Sequence, residues 1–301
     1  MSQIVAASPH VTTKNSTAVI MRDVLIALLP AVIAGCVVFG LRALLVVAVT
    51  TAACVFFEWG FEKLCRKPST IDDLSAVVTG VILAYNLPVS IPLWQAVFGC
   101  LVAIVAVKQL FGGIGKNFAN PALVGRIVLF LSFSKTMTAW VFPDAVSSAT
   151  PLAQLAAGQK PELWTLLLGN HGGCIGETCA LALLLGGAYL LLRGVITWQT
   201  PVCFVGTVFV LSLILGQDAV RQILSGGLLL GAFFMATDYV TAPQTCWGRA
   251  LFGIGAGLLT CLIRFYGSYA EGVSFAILFM NILTPYLSKW TRSKPLGGVP
   301  A

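Results

Sequence analysis

The sequence predicts an all-α polytopic membrane protein of about ten transmembrane helices, arranged as two inverted five-helix repeats. Three observations carry this prediction. The first is composition: of 301 residues, 58% are hydrophobic and 10% charged, with a mean hydropathy of +0.93. A soluble domain needs more charge than that to cover its surface. The second is the length of the apolar runs, such as Val24–Phe39, Leu44–Phe57 and Val202–Leu215, which leave no polar face and exclude a large extramembrane domain. The third is an internal repeat. Phe98-Gly99 matches Phe252-Gly253, Phe111 and Gly113 match Phe265 and Gly267, and Ala122-Leu123 matches Ala276-Ile277, all at one offset. An odd number of crossings in each half places the halves in opposite orientations.

The elements follow in order. Residues 1–21 form a polar N-terminal segment without a signal-peptide cleavage site, so the first span is expected to be retained. Spans are expected at 22–40, 43–63, 72–87, 93–111 and 120–141, making the first five-helix repeat, 22–141. Residues 142–174 form the longest loop. The second repeat, 175–289, holds spans at 175–193, 199–216, 220–237, 248–266 and 272–289, and a tail of 290–301 follows. Asn86-Leu87-Pro88 and Thr237–Pro243 are expected to break their helices.

Basic residues set the orientation, because they are retained on the cytoplasmic side of spans. With a cytoplasmic N-terminus, thirteen Lys and Arg fall inside and five (Arg42, Lys135, Lys160, Arg221 and Arg264) fall outside. Both termini are therefore expected in the cytoplasm and the 142–174 loop on the outer side of the cell membrane. The formal charge of +7 reads as topology rather than nucleic-acid binding, since the basic residues stand singly at the ends of apolar runs. Membrane lipid is the expected solvent.

Nine cysteines contain no CxxC pair, and there are two histidines. A zinc, haem or iron–sulfur site within this chain alone is not expected, and no metal ligands are assigned. Cys174 and Cys179 read either as a pair or as small apolar filler. The glycine-rich stretch 111–115 lacks the P-loop pattern. It reads as a tight turn, with Asn117 and Asn120 capping and Pro121 opening the next helix. Glu177, Asp238 and Glu271 are carboxylates in or near apolar spans, where an unpaired charge is costly. They are candidates for a cation path, or for capping and pairing with Arg264 or Arg249. Glu58 and Glu62, beside Trp59, are expected at the membrane interface.

The outer loop contains Asp144-Ala-Val-Ser147-Ser148-Ala149-Thr150-Pro151. Read alone, it is a turn or a helix N-cap before proline. It also resembles the D-x-x-S-G-A-T flavinylation signature of the RnfD and NqrB family of membrane electron-transfer subunits, with Ser148 where the family usually has glycine. Further resemblance runs through Lys108-Gln-Leu-Phe-Gly-Gly-Ile-Gly-Lys-Asn117-Phe-Ala-Asn120-Pro-Ala-Leu123, Thr237-Asp238-Tyr-Val-Thr-Ala-Pro243 and Tyr269-Ala-Glu271-Gly-Val-Ser-Phe-Ala-Ile-Leu-Phe-Met-Asn281. Together these cover most of Thr79–Pro285, and the short N-terminal region resembles the RnfD-type members.

The resemblance implies FMN joined by a phosphoester bond to the hydroxyl of Thr150, installed by a flavin transferase that uses FAD as donor. Asp144 would guide that transferase, and Ser147, Ser148 and Ala149 would leave room for the flavin phosphate. It also implies membership of an Rnf complex, with the other Rnf subunits as partners. In such a complex electrons pass between ferredoxin and NAD, coupled to Na+ or H+ movement, and this chain would be an electron-transferring subunit rather than a stand-alone enzyme. A second, noncovalent flavin between the helices is left open by the sequence. The competing class is an inverted-repeat channel or secondary transporter without a redox cofactor, which explains the repeat but not the Asp144–Thr150 string.

Overall fold

The computed structural model describes residues 16–140, 149–267 and 271–292. They are helical, with no named strand among the described residues and an isolated bridge between Pro88 and Cys174. Helix α1, Thr17–Phe39, starts on Ser16, whose hydroxyl accepts from the Val19 N–H at 3.3 Å, and contains Pro30. Gly40, at φ +70°, turns the chain directly into α2, Leu41–Leu64. The left-handed conformation carries little penalty without a Cβ. Helix α3, Ser75–Tyr85, ends at Asn86, whose amide donates back to the Ile82 carbonyl at 2.6 Å. Helix α4, Leu93–Leu101, continues as a π-helix over Val102–Gln109.

Asn120 caps α5, Pro121–Ser132, through the N–H groups of Ala122 and Leu123 at 3.1 and 3.4 Å, with Pro121 in the first turn. The short helices α6, Ser134–Met137, α7, Pro151–Ala156, and α8, Leu163–Leu168, follow. The second half comprises α9, Ala180–Leu192, α10, Gln199–Ile214, α11, Ala219–Leu224, and α12, Leu228–Leu230, which passes into a π-turn over Gly231–Met235. Helices α13, Cys246–Tyr266, and α14, Val273–Trp290, complete it.

Among the described residues three helices, α1, α2 and α13, are long and apolar enough to cross a membrane by length and composition. Several segments expected as continuous helices are instead interrupted. Residues 175–179 are not helical; they lie against the end of α3, where Ile175 N–H donates to Leu87 O at 3.1 Å and Gly176 N–H to Tyr85 O at 3.0 Å. Gly176 permits this, because a Cβ there would overlap the Tyr85 side chain. Within 220–237, Ser225, Gly226 and Gly227 separate α11 from α12, with Gly226 at φ +67°. Arg264 donates to the freed carbonyls of Gln222 and Ser225 at 2.7 and 3.1 Å. Interrupted backbone at membrane depth survives only where protein groups satisfy it, and these donors and acceptors do so.

Packing is close where glycine meets backbone: α2 against α3 through Gly80, α10 against α13 through Gly253 and Gly257, and α1 against α9 through Gly186. Small residues at helix contacts allow this approach in the absence of a hydrophobic driving force. Lipid-facing positions are large and apolar: Val37 is 81% and Leu192 88% exposed. On a water-soluble protein such exposure would be a liability.

Glu58 and Glu62, near the C-terminal end of α2, are buried in protein. The Lys108 ammonium, 2% exposed, lies 2.7 Å from both Glu58 oxygens and also donates to Ser75. Glu62 accepts from the Thr70 N–H and hydroxyl and from Gln109. In the sequence these are separate residues; only packing reveals that they form one network.

Gly186→Ala, whose Cβ would overlap the Ala27 carbonyl oxygen, is expected to cost about 1–3 kcal/mol, read as a lower thermal midpoint in detergent. Gly206→Ala, which meets open space, is expected to leave the midpoint unchanged or raise it. Lys108→Met strands a buried carboxylate and is expected to cost about 3–5 kcal/mol, whereas Lys108→Met with Glu58→Met recovers most of the loss.

Candidate functional site

Thr150 stands as the N-cap of α7, with extended backbone at φ −60° and ψ 156°. Pro151 in the first helical turn fixes that approach, and the Thr150 hydroxyl oxygen accepts from the Ala153 N–H at 3.4 Å. That bond is long, so the hydroxyl is held in place without being consumed. Gln154 braces the preceding residue, its amide donating to the Ala149 carbonyl at 3.0 Å. Ala149 is exposed and Thr150 half-buried. Asp144, Ser147 and Ser148 lie outside the described residues.

Helix α7 is seated rather than draped. Leu152 and Leu155 are buried, and Leu152 lies against Gly226, where a Cβ would overlap its methyl group. A cavity of about 520 Å³ opens beside it, walled by Leu155, Ala156, Leu215, Gln222, Arg264 and Phe265 among others.

The acidic candidates separate into two places. Glu177 is buried; one carboxylate oxygen accepts from the Cys174 N–H at 3.0 Å, and the other has no partner among the described residues. Glu271 pairs with Arg126, not with Arg264 or Arg249. Arg126 also donates to Asn86 Oδ1 at 2.8 Å and Ser274 Oγ at 2.7 Å. Ligand atoms of Cys174, Glu177 and Glu271 lie within 4.8 Å of one another, a spacing that would suit a cation. The Arg126 guanidinium already supplies one there, bonded to Glu271 and 3.9 Å from the Cys174 sulfur. Cys174 and Cys179 are both buried and free rather than paired, with the Cys174 sulfur set among charged groups.

Asp238 stands apart from this cluster. Its carboxylate accepts from the Val240 N–H at 3.3 Å and the Thr241 hydroxyl at 3.2 Å, closing the turn after the π-helical segment. Arg249 is engaged elsewhere, with the Pro243 carbonyl and Thr197. Asp238 lines a second cavity, of about 290 Å³, together with Lys108, Asn117, Asn120, Phe234 and Tyr239. Asn117 does not cap a helix as expected; its side-chain oxygen is buried without a partner among the described residues.

The residue that sequence reasoning passed over is Arg126. A signal was present, since an arginine midway through Pro121–Ser132 has apolar neighbours and must find a carboxylate inside the protein. Which carboxylate it finds depends on contacts across 145 residues of sequence, and spacing does not encode those.

Comparison with known proteins supplies the family. The sequence model of the NQR2, RnfD, RnfE family matches residues 4–297. The chain is 48% identical to the D subunit of the Na(+)-translocating ferredoxin:NAD(+) oxidoreductase complex of Acetobacterium woodii, covering 97% of this chain and 95% of that one. It is 41% identical to the D subunit of the proton-translocating ferredoxin:NAD(+) oxidoreductase complex of Clostridium ljungdahlii, covering 97% and 96%. With the D subunit of the ion-translocating oxidoreductase complex of Halorhodospira halophila the identity is 36%, over 99% and 96%. A match over nearly the whole length, joined to an apolar helical fold, makes the chain a multi-pass membrane member of the NQR2, RnfD, RnfE family.

Proposed function

We propose that the chain is the D subunit of an ion-translocating ferredoxin:NAD oxidoreductase complex, carrying FMN in phosphoester linkage to Thr150 and relaying electrons coupled to Na+ or H+ movement. The other Rnf subunits are its partners, and a flavin transferase matures it. The observation that carries this reading is the position of Thr150: a half-buried hydroxyl at the head of a firmly seated helix, beside a cavity, at the end of the Asp144–Thr150 string. A covalent tether there keeps a surface flavin at high effective concentration beside its redox partners. Thr150 is then an anchor, and the chemistry belongs to the flavin.

The same reading takes the chain as ten spans in two inverted five-helix repeats. Support comes from counterpart helices packing on one another: α1 on α9, and α5 on α14, as a pseudo-two-fold relation requires. Asp23 of α1 clips to Arg193 of α9 at 3.0 Å. The 290 Å³ cavity is lined by segments assigned to the cytoplasmic side, and the unpartnered Asn117 oxygen gives it a free acceptor for the N–H of a noncovalent flavin ring. It is mostly apolar, with a few converging polar groups, as cofactor sites generally are.

A channel or transporter accounts for the repeat and the buried charges but assigns no role to Thr150. In-gel flavin fluorescence of the full chain, expressed with its transferase and denatured, distinguishes the two. A fluorescent band that disappears in Thr150→Val, with membrane insertion unchanged, is the expected result; a parent chain without an adduct overturns the electron-carrier reading. A reporter fused after Ala301 is expected to be active only in the cytoplasm. Outer-side activity would refute the ten-span count.

A further inference from the structure

The 520 Å³ cavity beside α7 has a chemical character of its own. Leu155, Ala156, Leu215 and Phe265 give it apolar walls, and Gln222 and Arg264 give it polar groups. Its volume lies in the range of small-molecule sites, roughly 300–1,000 Å³. Arg264 enters from the outer end of α13. Its terminal nitrogens are spent on neutral acceptors: the Gln222 carbonyl at 2.7 Å, the Gln222 side chain at 3.4 Å and the Ser225 carbonyl at 3.1 Å. Its Nε is enclosed and unpartnered. Among the described residues no carboxylate lies within ion-pair distance of it, although the other two arginines that bond across helices to acidic groups, Arg126 and Arg193, each have one. A guanidinium enclosed this way is left with uncompensated charge, and an anionic or strongly polar partner would relieve it.

Thr150 is at the rim of this space. Its hydroxyl oxygen contacts the nitrogen of Ala153, and Leu152 and Ala153 both line the cavity. A group tethered to Thr150 therefore starts beside two residues that line the cavity. The Arg264 donors that brace the end of α11 hold the guanidinium still, so its charge does not move when the space fills.

We propose that this cavity seats the flavin ring attached at Thr150, with Arg264 facing the polar edge of the ring and the apolar walls covering its faces. The inference rests on the attachment proposed above and adds the residues that hold and tune the ring. When bound, the flavin supplies reversible uptake of two electrons with one proton, leaving a negative charge on the ring. A fixed guanidinium beside that edge favours the reduced, more negative form and raises the potential. The walls keep water and solutes from the ring.

The test uses the full chain expressed with its transferase, with in-gel fluorescence confirming attachment in every variant. Redox titration with dithionite reads the potential of the attached flavin, and iodide quenching reads its exposure. Arg264→Gln is expected to keep the fluorescent band and shift the potential to more negative values, and Arg264→Lys to restore most of the shift. Ala156→Trp, which adds a bulky ring at the cavity wall, is expected to raise the quenching constant several-fold. An attached flavin with unchanged quenching in Ala156→Trp overturns the seat, whether or not Arg264→Gln folds. Unchanged potential in a folded Arg264→Gln overturns the role of the guanidinium. Absence of the fluorescent band in the parent chain instead overturns the attachment itself.

Discussion

One guanidinium, that of Arg126, ties together the parts of the chain that leave regular helix. Asn86 at the unwound end of α3, Glu271 and Ser274 at the start of α14, and Cys174 in the segment between α8 and α9 all converge on it. Each of these elements exposes backbone or charge that lipid cannot solvate. The pairing is therefore a condition of the interruptions rather than an ornament on them: without a cation from α5, Glu271 would be an uncompensated charge, and the end of α3 would lose the partner of its last polar side chain. Tyr85 then fills the space behind, its hydroxyl donating to the Leu28 carbonyl of α1. Gly176 lies on its ring, so the first helix, the third helix and the start of the second half are registered through one buried side chain.

The segment that carries Thr150 gains order from the same interior. Helix α7 is too short to be stable alone, and it holds because Leu152 and Leu155 reach buried positions and Leu152 rests on Gly226. Gly226 belongs to the break between α11 and α12, and Arg264 satisfies the carbonyl before it. A helix interruption inside the membrane protein thus creates the surface on which the Thr150 helix sits. The N-cap reading and the attachment reading of Thr150 do not compete: the cap sets the backbone and direction of the side chain, and the weak bond to Ala153 leaves the oxygen available.

Legibility in the sequence followed the range of the interaction. Composition and run length disclosed an all-helical apolar chain, and local chemistry disclosed the Asn120-Pro121 helix start, the break after Asn86 and the Thr150 cap, because each depends on a few neighbouring residues. Interactions between distant residues were not legible. Glu58 looked interfacial beside Trp59, and its burial follows from Lys108, 50 residues away. Glu271 was matched with the nearest arginines in sequence, and its partner lies in the other half of the chain. Asn117 looked like a cap, yet the turn it belongs to leaves its side chain facing a cavity. The flavin signature is a different case: no spacing argument derives it, and the residues Asp144, Ser147 and Ser148 that complete it lie outside the described structure.

The arrangement also bears on how charge at one face reaches the interior. Gly226 and Gly227 stand between the cavity beside α7 and the buried cluster. A Cβ on Gly226 would lie 3.3 Å from Arg264, and one on Gly227 would lie 3.2 Å from the free oxygen of Glu177 and 3.8 Å from Arg126. Side chains at these two positions would widen the gap between the two guanidinium groups and the two carboxylates; glycines keep it to the thickness of a backbone. In a low-dielectric interior a unit charge acts over such distances with little screening. A negative charge arriving next to Arg264 therefore draws that guanidinium's field away from Glu177 and Glu271. Among the described residues the ion-pair partner of this carboxylate pair is Arg126, bonded to Glu271, and one guanidinium compensates one carboxylate. A proton or a monovalent cation would neutralise the other. With the flavin proposed above seated beside Arg264, two glycines would be all that separates its charge from the buried carboxylate pair.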